Sequence, residues 1–298
     1  MTPPFVSDTC QTRVGHVSDT VADPHFAAYS FVDRIDAFEP GRRVRGSFAI
    51  PSQIARFPAA LVAEAIGQLA AWCAMDAIDF RGRPVAGLAS ETRFFGDARP
   101  GDTLELAADL HSCDDEAVAY DGHASVRGER VVELVDCLGP MLPVADFDDP
   151  DALRARLALL RDGGAQPGRF PGVDAIACHV VERVAGSELR ARLDVPVQAP
   201  FFRDHFPRRP VFPATLLLDT LIGLALDLAR EAPGTAAPRA TRVTHVKMRS
   251  FIVPGQQLDV EVRLAPAQNG LAKAMLGAKT DVRTVANARL EIAMDPKR

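Results

Sequence analysis

Two segments of this chain are apolar on every helical face. Residues 59–72 read A-A-L-V-A-E-A-I-G-Q-L-A-A-W, with Glu64 and Gln68 as the only polar side chains. Residues 214–230 carry Leu216, Leu217, Leu218, Leu221, Ile222, Leu224, Leu226 and Leu228. A helix that is apolar all round is buried all round, so the pattern predicts two buried helices, at 59–75 and 214–230. Each should begin at a proline, Pro58 and Pro213, where the missing N–H would be unpaired anyway. The segments downstream alternate instead, as in D-V-E-V-R-L at 259–264, which turns one face of a strand inward and the other outward.

The two helices belong to a repeat. Residues 57–68 read F-P-A-A-L-V-A-E-A-I-G-Q and residues 212–223 read F-P-A-T-L-L-L-D-T-L-I-G, with an acid at the same offset, Glu64 and Asp219. Further along, Arg99-Pro100-Gly101 answers Val253-Pro254-Gly255, and upstream V-D-R-I at 32–35 answers V-E-R-V at 181–184. Matches in one order at a nearly constant offset of about 150 residues indicate duplication. The first copy is shorter just before its Phe-Pro. Each copy reads as strand, loop, long helix and several strands, which predicts an α+β fold in which an antiparallel sheet wraps a buried helix. That is the hotdog arrangement, and two tandem copies pairing their sheets would make a double hotdog, a pseudo-dimer within one chain. The expected divisions are an N-terminal extension (1–25), a first hotdog domain (26–143), a connector (144–172) and a second hotdog domain (173–298). Within the connector, Asp149-Pro150 should start a short helix over 151–161 and Gly163-Gly164 should stop it.

Composition narrows the class without changing the architecture. At 298 residues the chain suits two domains. A formal net charge of −5 argues against a nucleic-acid partner. Five cysteines lie scattered without C-x-x-C spacing, so neither a disulfide framework nor a zinc site is expected, and a reducing cytoplasm fits. The first residues lack a basic and then apolar signal pattern, and no window suits a membrane span.

Chemistry concentrates at 201–219, F-F-R-D-H-F-P-R-R-P-V-F-P-A-T-L-L-L-D. This stretch resembles the signature of the β-hydroxyacyl-acyl carrier protein dehydratases of fatty-acid synthesis, a His-Phe-Pro-x-x-Pro-Val-x-Pro loop followed by a buried helix bearing a Glu or Asp. His205 and Asp219 have the family spacing of fourteen residues, and Phe206-Pro207, Pro210-Val211 and Pro213 fall in place. Two positions depart: the family has glycine at Asp204 and at Ala214. The first copy is the complement. Glu64 and Gln68, four apart on one helix face, match the family's acid and its supporting glutamine, but no histidine lies between His25 and His111. In the second copy the glutamine position is Gly223.

The resemblance implies that each site takes its His from one hotdog and its acid from the other. His205 should therefore face Glu64 in one composite site, leaving Asp219 without a histidine as a relic held by local partners such as Thr215. The implied reaction is loss of water from a 3-hydroxyacyl thioester to give a trans-2-enoyl thioester, in fatty-acid, polyketide or polyene synthesis. His205 would be the base and Glu64 the acid, Gln68 would orient Glu64, and the Ala214 N–H would polarise the thioester. No metal or organic cofactor is called for, because phosphopantetheine arrives as part of a substrate carried on acyl carrier protein. An apolar tunnel should run from the domain junction past both His205 and Glu64, with Phe202, Phe206 and Phe212 as candidate walls. Arg203, Arg208 and Arg209 are candidate phosphate or carrier contacts. Two double-hotdog chains could pair further as a homodimer. The alternatives are a hotdog thioesterase and a non-catalytic acyl- or carrier-binding partner with a decayed site.

Overall fold

The computed structural model describes residues 25–232 and 235–296. The first half runs β1 (Arg34–Glu39), β2 (Arg43–Ala49), α1 (Ala59–Ala77), β3 (Gly82–Pro84), β4 (Leu88–Phe94), β5 (Thr103–Cys113), β6 (Ala117–Val126) and β7 (Glu129–Pro143). After α2 (Pro150–Asp162), the second half runs β8 (Cys178–Val184), β9 (Glu188–Asp194), α3 (Ala214–Arg230), β10 (Thr235–Met248), β11 (Gln257–Leu264), β12 (Leu271–Lys279) and β13 (Thr284–Pro296). No helix among the described residues is long and apolar enough to cross a membrane.

One antiparallel sheet runs through the whole molecule, and its order displays the duplication. From the central β4–β10 pair, β4-β7-β6-β5-β2-β1 on one side is answered by β10-β13-β12-β11-β9-β8 on the other. Every strand on this path has a counterpart at the same distance from the seam. This is the two-fold relation expected when copies of one unit meet through the same edge. Helix α1 packs on β2, β5, β6 and β7, while α3 packs on β9 to β13. The two helices also touch each other, completing a double hotdog.

The apolar patterns account for these helices with two adjustments. Pro58 and Pro213 are N-caps with extended backbones, each the last residue before its helix and not the first within it. Helix α1 sinks Ala65, Ile66 and Leu69 completely. It lies close on the sheet because Gly122 of β6 has no side chain, and a Cβ there would sit 2.3 Å from Ile66 Cγ2. Helix α3, expected to be buried all round, instead leaves Gly223, Asp227 and Arg230 exposed. These positions recur at helical spacing, so they form a stripe with Asp219 facing a cavity.

The connector is structural and buried in part. The Asp149 carboxylate accepts N–H bonds from Asp151 and Ala152 to cap α2, and Gly163 ends it. Leu153, Leu157 and Leu160 are buried along one face. Beyond it, Phe170 packs edge-on against Phe31 and Phe57, at centroid distances of 5.0 and 5.9 Å. Of the expected N-terminal extension, residues 1–24 lie outside the described residues. From residue 26 onward the chain is no loose tail: Ala28, Tyr29, Phe31 and Val32 are all buried.

Candidate active site

The loop between β9 and α3 folds back on itself around His205. The His205 N–H donates to the Phe201 carbonyl at 2.9 Å, and the Val211 N–H donates to the His205 carbonyl at 2.9 Å. The ring Nδ1 lies 2.8 Å from the Val211 carbonyl. A carbonyl can only accept, so Nδ1 carries the proton and Nε2 of the neutral ring keeps a free lone pair. Pro207 and Pro210 fix φ along the return of the loop, which explains the His-to-Val spacing of the motif. Burial holds the imidazole below its ordinary value; the Glu64 carboxylate opposes this and the Arg83 cation reinforces it. Arg83 lies over the Phe206 ring at 4.2 Å and pairs with buried Asp148 of the connector at 3.0 Å, clamping the loop from below.

Glu64 comes from the other half of the molecule. Glu64, Gly67, Gln68, Ala71, Trp72 and Met75 form a stripe of α1 along a cavity of about 210 Å³. His205, Phe206, Ala214 and Thr215 line the same cavity from the second half. Gln68 Nε2 donates to Glu64 Oε1 at 3.0 Å, as the four-residue spacing leads one to expect. Glu64 Oε2 accepts from the Thr215 hydroxyl at 2.8 Å. Ala214 is the first residue of α3, and no side chain caps that helix end. Its N–H and the helix dipole therefore offer positive potential at the cavity wall.

Asp219 lies elsewhere, as the pairing of the halves requires. Its carboxylate pairs with Arg56 at 2.6 Å. Thr215, expected to hold Asp219, serves Glu64 instead. Arg56 immediately precedes Phe57-Pro58, where the second copy has its His loop. Arg56 and Asp219 line a second cavity of about 770 Å³, together with Arg99 and Gly223, and its lining includes no histidine. A cavity past both His205 and Glu64 is present, as expected of the tunnel, and it is the smaller of these two. The second space is the wider of the two, and a Cβ at Gly223 would meet nothing within 4 Å. The smaller cavity is set apart by its lining, which brings together His205, Glu64 and the N-terminus of α3.

The aromatic and basic candidates divide. Phe206 lines the His205 cavity, but Phe202 and Phe212 are core residues packed around Phe201, at 4.6 and 6.0 Å. A motif shows which residues accompany the His, and only the loop path shows which way their rings turn. Arg208 binds the Ala145 carbonyl and Asp149, and Arg209 covers the rings of Phe147 and Phe251. Both remain exposed, as does Arg203.

Three residues at the site have partners that the sequence did not reveal. Asp204, placed where the family has glycine, is buried. Its carboxylate accepts the N–H groups of Phe26 (2.7 Å), Ala28 (2.8 Å) and Tyr29 (2.7 Å), and the Ser30 hydroxyl at 3.2 Å. Tyr29 OH and Thr215 Oγ1 are 2.9 Å apart. The departure at Asp204 was visible, but its partners are remote in the chain and no spacing links them.

Comparisons with known proteins bear on the family. A profile described as ApeI-like, ApeI dehydratase, matches residues 181–287. The 3-hydroxyacyl-[acyl-carrier-protein] dehydratase FabZ of Yersinia enterocolitica is 30% identical over 131 residues, covering 43% of this chain and 77% of the relative. The chain belongs to the hotdog dehydratase family. The FabZ of Yersinia pestis strain Pestoides F matches at the same identity over 73% of its length. Two solved structures share the fold of this dehydratase-family chain across most of its length. The putative oleoyl thioesterase of Lactobacillus plantarum gives a TM-score of 0.57 at 9% identity, covering 86% of this chain and 98% of its own. The dehydratase domain of PpsC from Mycobacterium tuberculosis, in complex with C12:1-CoA, gives 0.51 at 16%, covering 90% and 100%.

Proposed function

We propose that this chain removes water from 3-hydroxyacyl thioesters, delivered on the phosphopantetheine arm of an acyl carrier protein, to give trans-2-enoyl thioesters. The observation that carries this reading is the meeting of His205 and Glu64, from opposite halves, on one cavity that also holds the N-terminus of α3. His205 Nε2 takes the C2 proton, and the ring charge is held by the Nδ1–H bond to Val211. Negative charge moves onto the thioester oxygen, which the Ala214 N–H and the helix dipole stabilise. The C3–O bond then breaks, Glu64 gives its proton to the departing hydroxyl, and water leaves. One proton has arrived at His205 and one has left Glu64, so the enzyme resets by returning a proton to the carboxylate. The name of the relatives, 3-hydroxyacyl-[acyl-carrier-protein] dehydratase, supports this choice of carrier.

The test runs the reaction backwards on a crotonyl thioester. Loss of the enoyl absorbance without release of thiol is the expected result. Thiol release in its place would make the chain a thioesterase, and no reaction on either carrier protein or coenzyme A thioesters would leave it a binding partner.

A further inference from the structure

The mechanism above leaves unexplained a closed ring of hydrogen bonds around Glu64. Gln68 Oε1 accepts the Phe31 N–H at 2.8 Å, which turns its Nε2 toward both the Tyr29 carbonyl (2.9 Å) and Glu64 Oε1 (3.0 Å). Both protons of that amide are spent in a fixed direction. Glu64 Oε1 thus faces an amide N–H that can only donate, whereas Oε2 faces a hydroxyl that can either donate or accept, so Oε2 is the oxygen that can carry the transferable proton. Oε2 accepts from Thr215, whose own hydroxyl oxygen meets the phenol of Tyr29. The backbone of Tyr29 closes the ring at Gln68.

We propose that Tyr29 and Thr215 form a hydroxyl chain that selects Oε2 as the proton-donating oxygen and stabilises the carboxylate left after donation. Once Oε2 has given up its proton, Thr215 donates to it and, having no second proton, accepts from Tyr29. Tyr29 is wholly buried, and burial with the nearby Glu64 charge holds its phenol well above the ordinary value, so it stays a donor. The phenol, the threonine hydroxyl and the carboxylate thus point one way, and each bond polarises the next. Asp204 holds the Tyr29 backbone while its neighbour His205 supplies the base, so one buried carboxylate sets acid and base in a common frame. Tyr29 and Thr215 are positioning residues, since both act through Glu64.

This inference rests on the dehydratase reading, and the experiment separates their failures. Hydration of a crotonyl thioester is measured for wild type, Thr215→Val, Thr215→Ser, Tyr29→Phe and the Tyr29→Phe/Thr215→Val double variant. A hydrogen bond to a charged group translates into a kcat loss of about ten- to a hundredfold in Thr215→Val, with KM unchanged. Thr215→Ser should recover most of that loss. Tyr29→Phe should lower kcat alone but add nothing when Thr215 is already Val, because the chain is then broken. The double variant leaves no phenol unpaired and keeps the comparison valid should the single Val substitution unfold. An active wild type with equal rates in Thr215→Val and Thr215→Ser overturns the hydroxyl chain alone. A wild type that hydrates nothing overturns both readings.

Discussion

At the scale of single residues, hydrogen bonds around His205 and Glu64 would leave each atom of the proposed reaction one role. The Val211 carbonyl claims Nδ1 of His205 and leaves Nε2 for a proton. Gln68 claims Oε1 of Glu64, and Oε2 meets the Thr215 hydroxyl. Removing a general acid or base costs about 10²–10⁴-fold in rate, so Glu64→Gln and His205→Ala should each lose activity in that range with the melting temperature little changed. Asp219→Asn should behave differently. Its ion pair with Arg56 involves a guanidinium that is 70% exposed, and such pairs contribute about 0–1 kcal/mol. The quantity to measure is the ratio of kcat in the two acid variants. Equal losses would mean that both cavities are catalytic, and a dead Asp219 variant beside an active Glu64 variant would reverse the assignment.

Elements convert these contacts into a fixed distance. Helix α1 presents Glu64 and Gln68 on one stripe, the first turn of α3 presents Ala214 and Thr215, and the segment at 26–31 is threaded between them. The start of β1 is held by Asp33, whose carboxylate accepts the Ala49 N–H at 2.8 Å. Burial pushes its pKa up to about 6, against the opposing pull of that bond and of Arg156. The folded chain therefore keeps this proton to higher pH than an unfolded chain, where an aspartate releases it near 3.9. The contribution is fully present below that unfolded value and is lost as pH rises through about 6. Asp33→Asn keeps an acceptor for Ala49 and removes the buried charge. Its melting temperature should match wild type near pH 4 and exceed it by a constant margin above pH 7; a variant less stable than wild type at pH 7.5 would refute this account.

Across the whole molecule, the near-symmetry of the sheet contrasts with the asymmetry of its two cavities. The β4–β10 seam, the α1–α3 contact and the Thr215–Glu64 bond all cross between halves. Neither half holds a base, an acid and the support for both. Severing the connector between Phe170, which packs on Phe31 and Phe57 of the first half, and β8 gives fragments 1–172 and 173–298. Each alone should be inactive in crotonyl hydration, and mixing them should restore activity as the seam re-forms. Activity in either fragment by itself would show that the site is not composite.

Periodicity and repetition in the sequence determined the two buried helices, the duplication and the residues able to do acid–base chemistry. Those features are local or recur along the chain, as in the four-residue step from Glu64 to Gln68 and the H-F-P-x-x-P-V loop. The tertiary structure alone decided which cavity those residues share, the inward turn of Phe206 against the core packing of Phe202 and Phe212, and the roles of Asp204, Tyr29 and Thr215. Asp204 and Tyr29 are separated by 175 positions, and Thr215 and Glu64 by 151. A hydrogen bond depends on direction and a few ångströms, and chain position encodes neither until the two copies have paired.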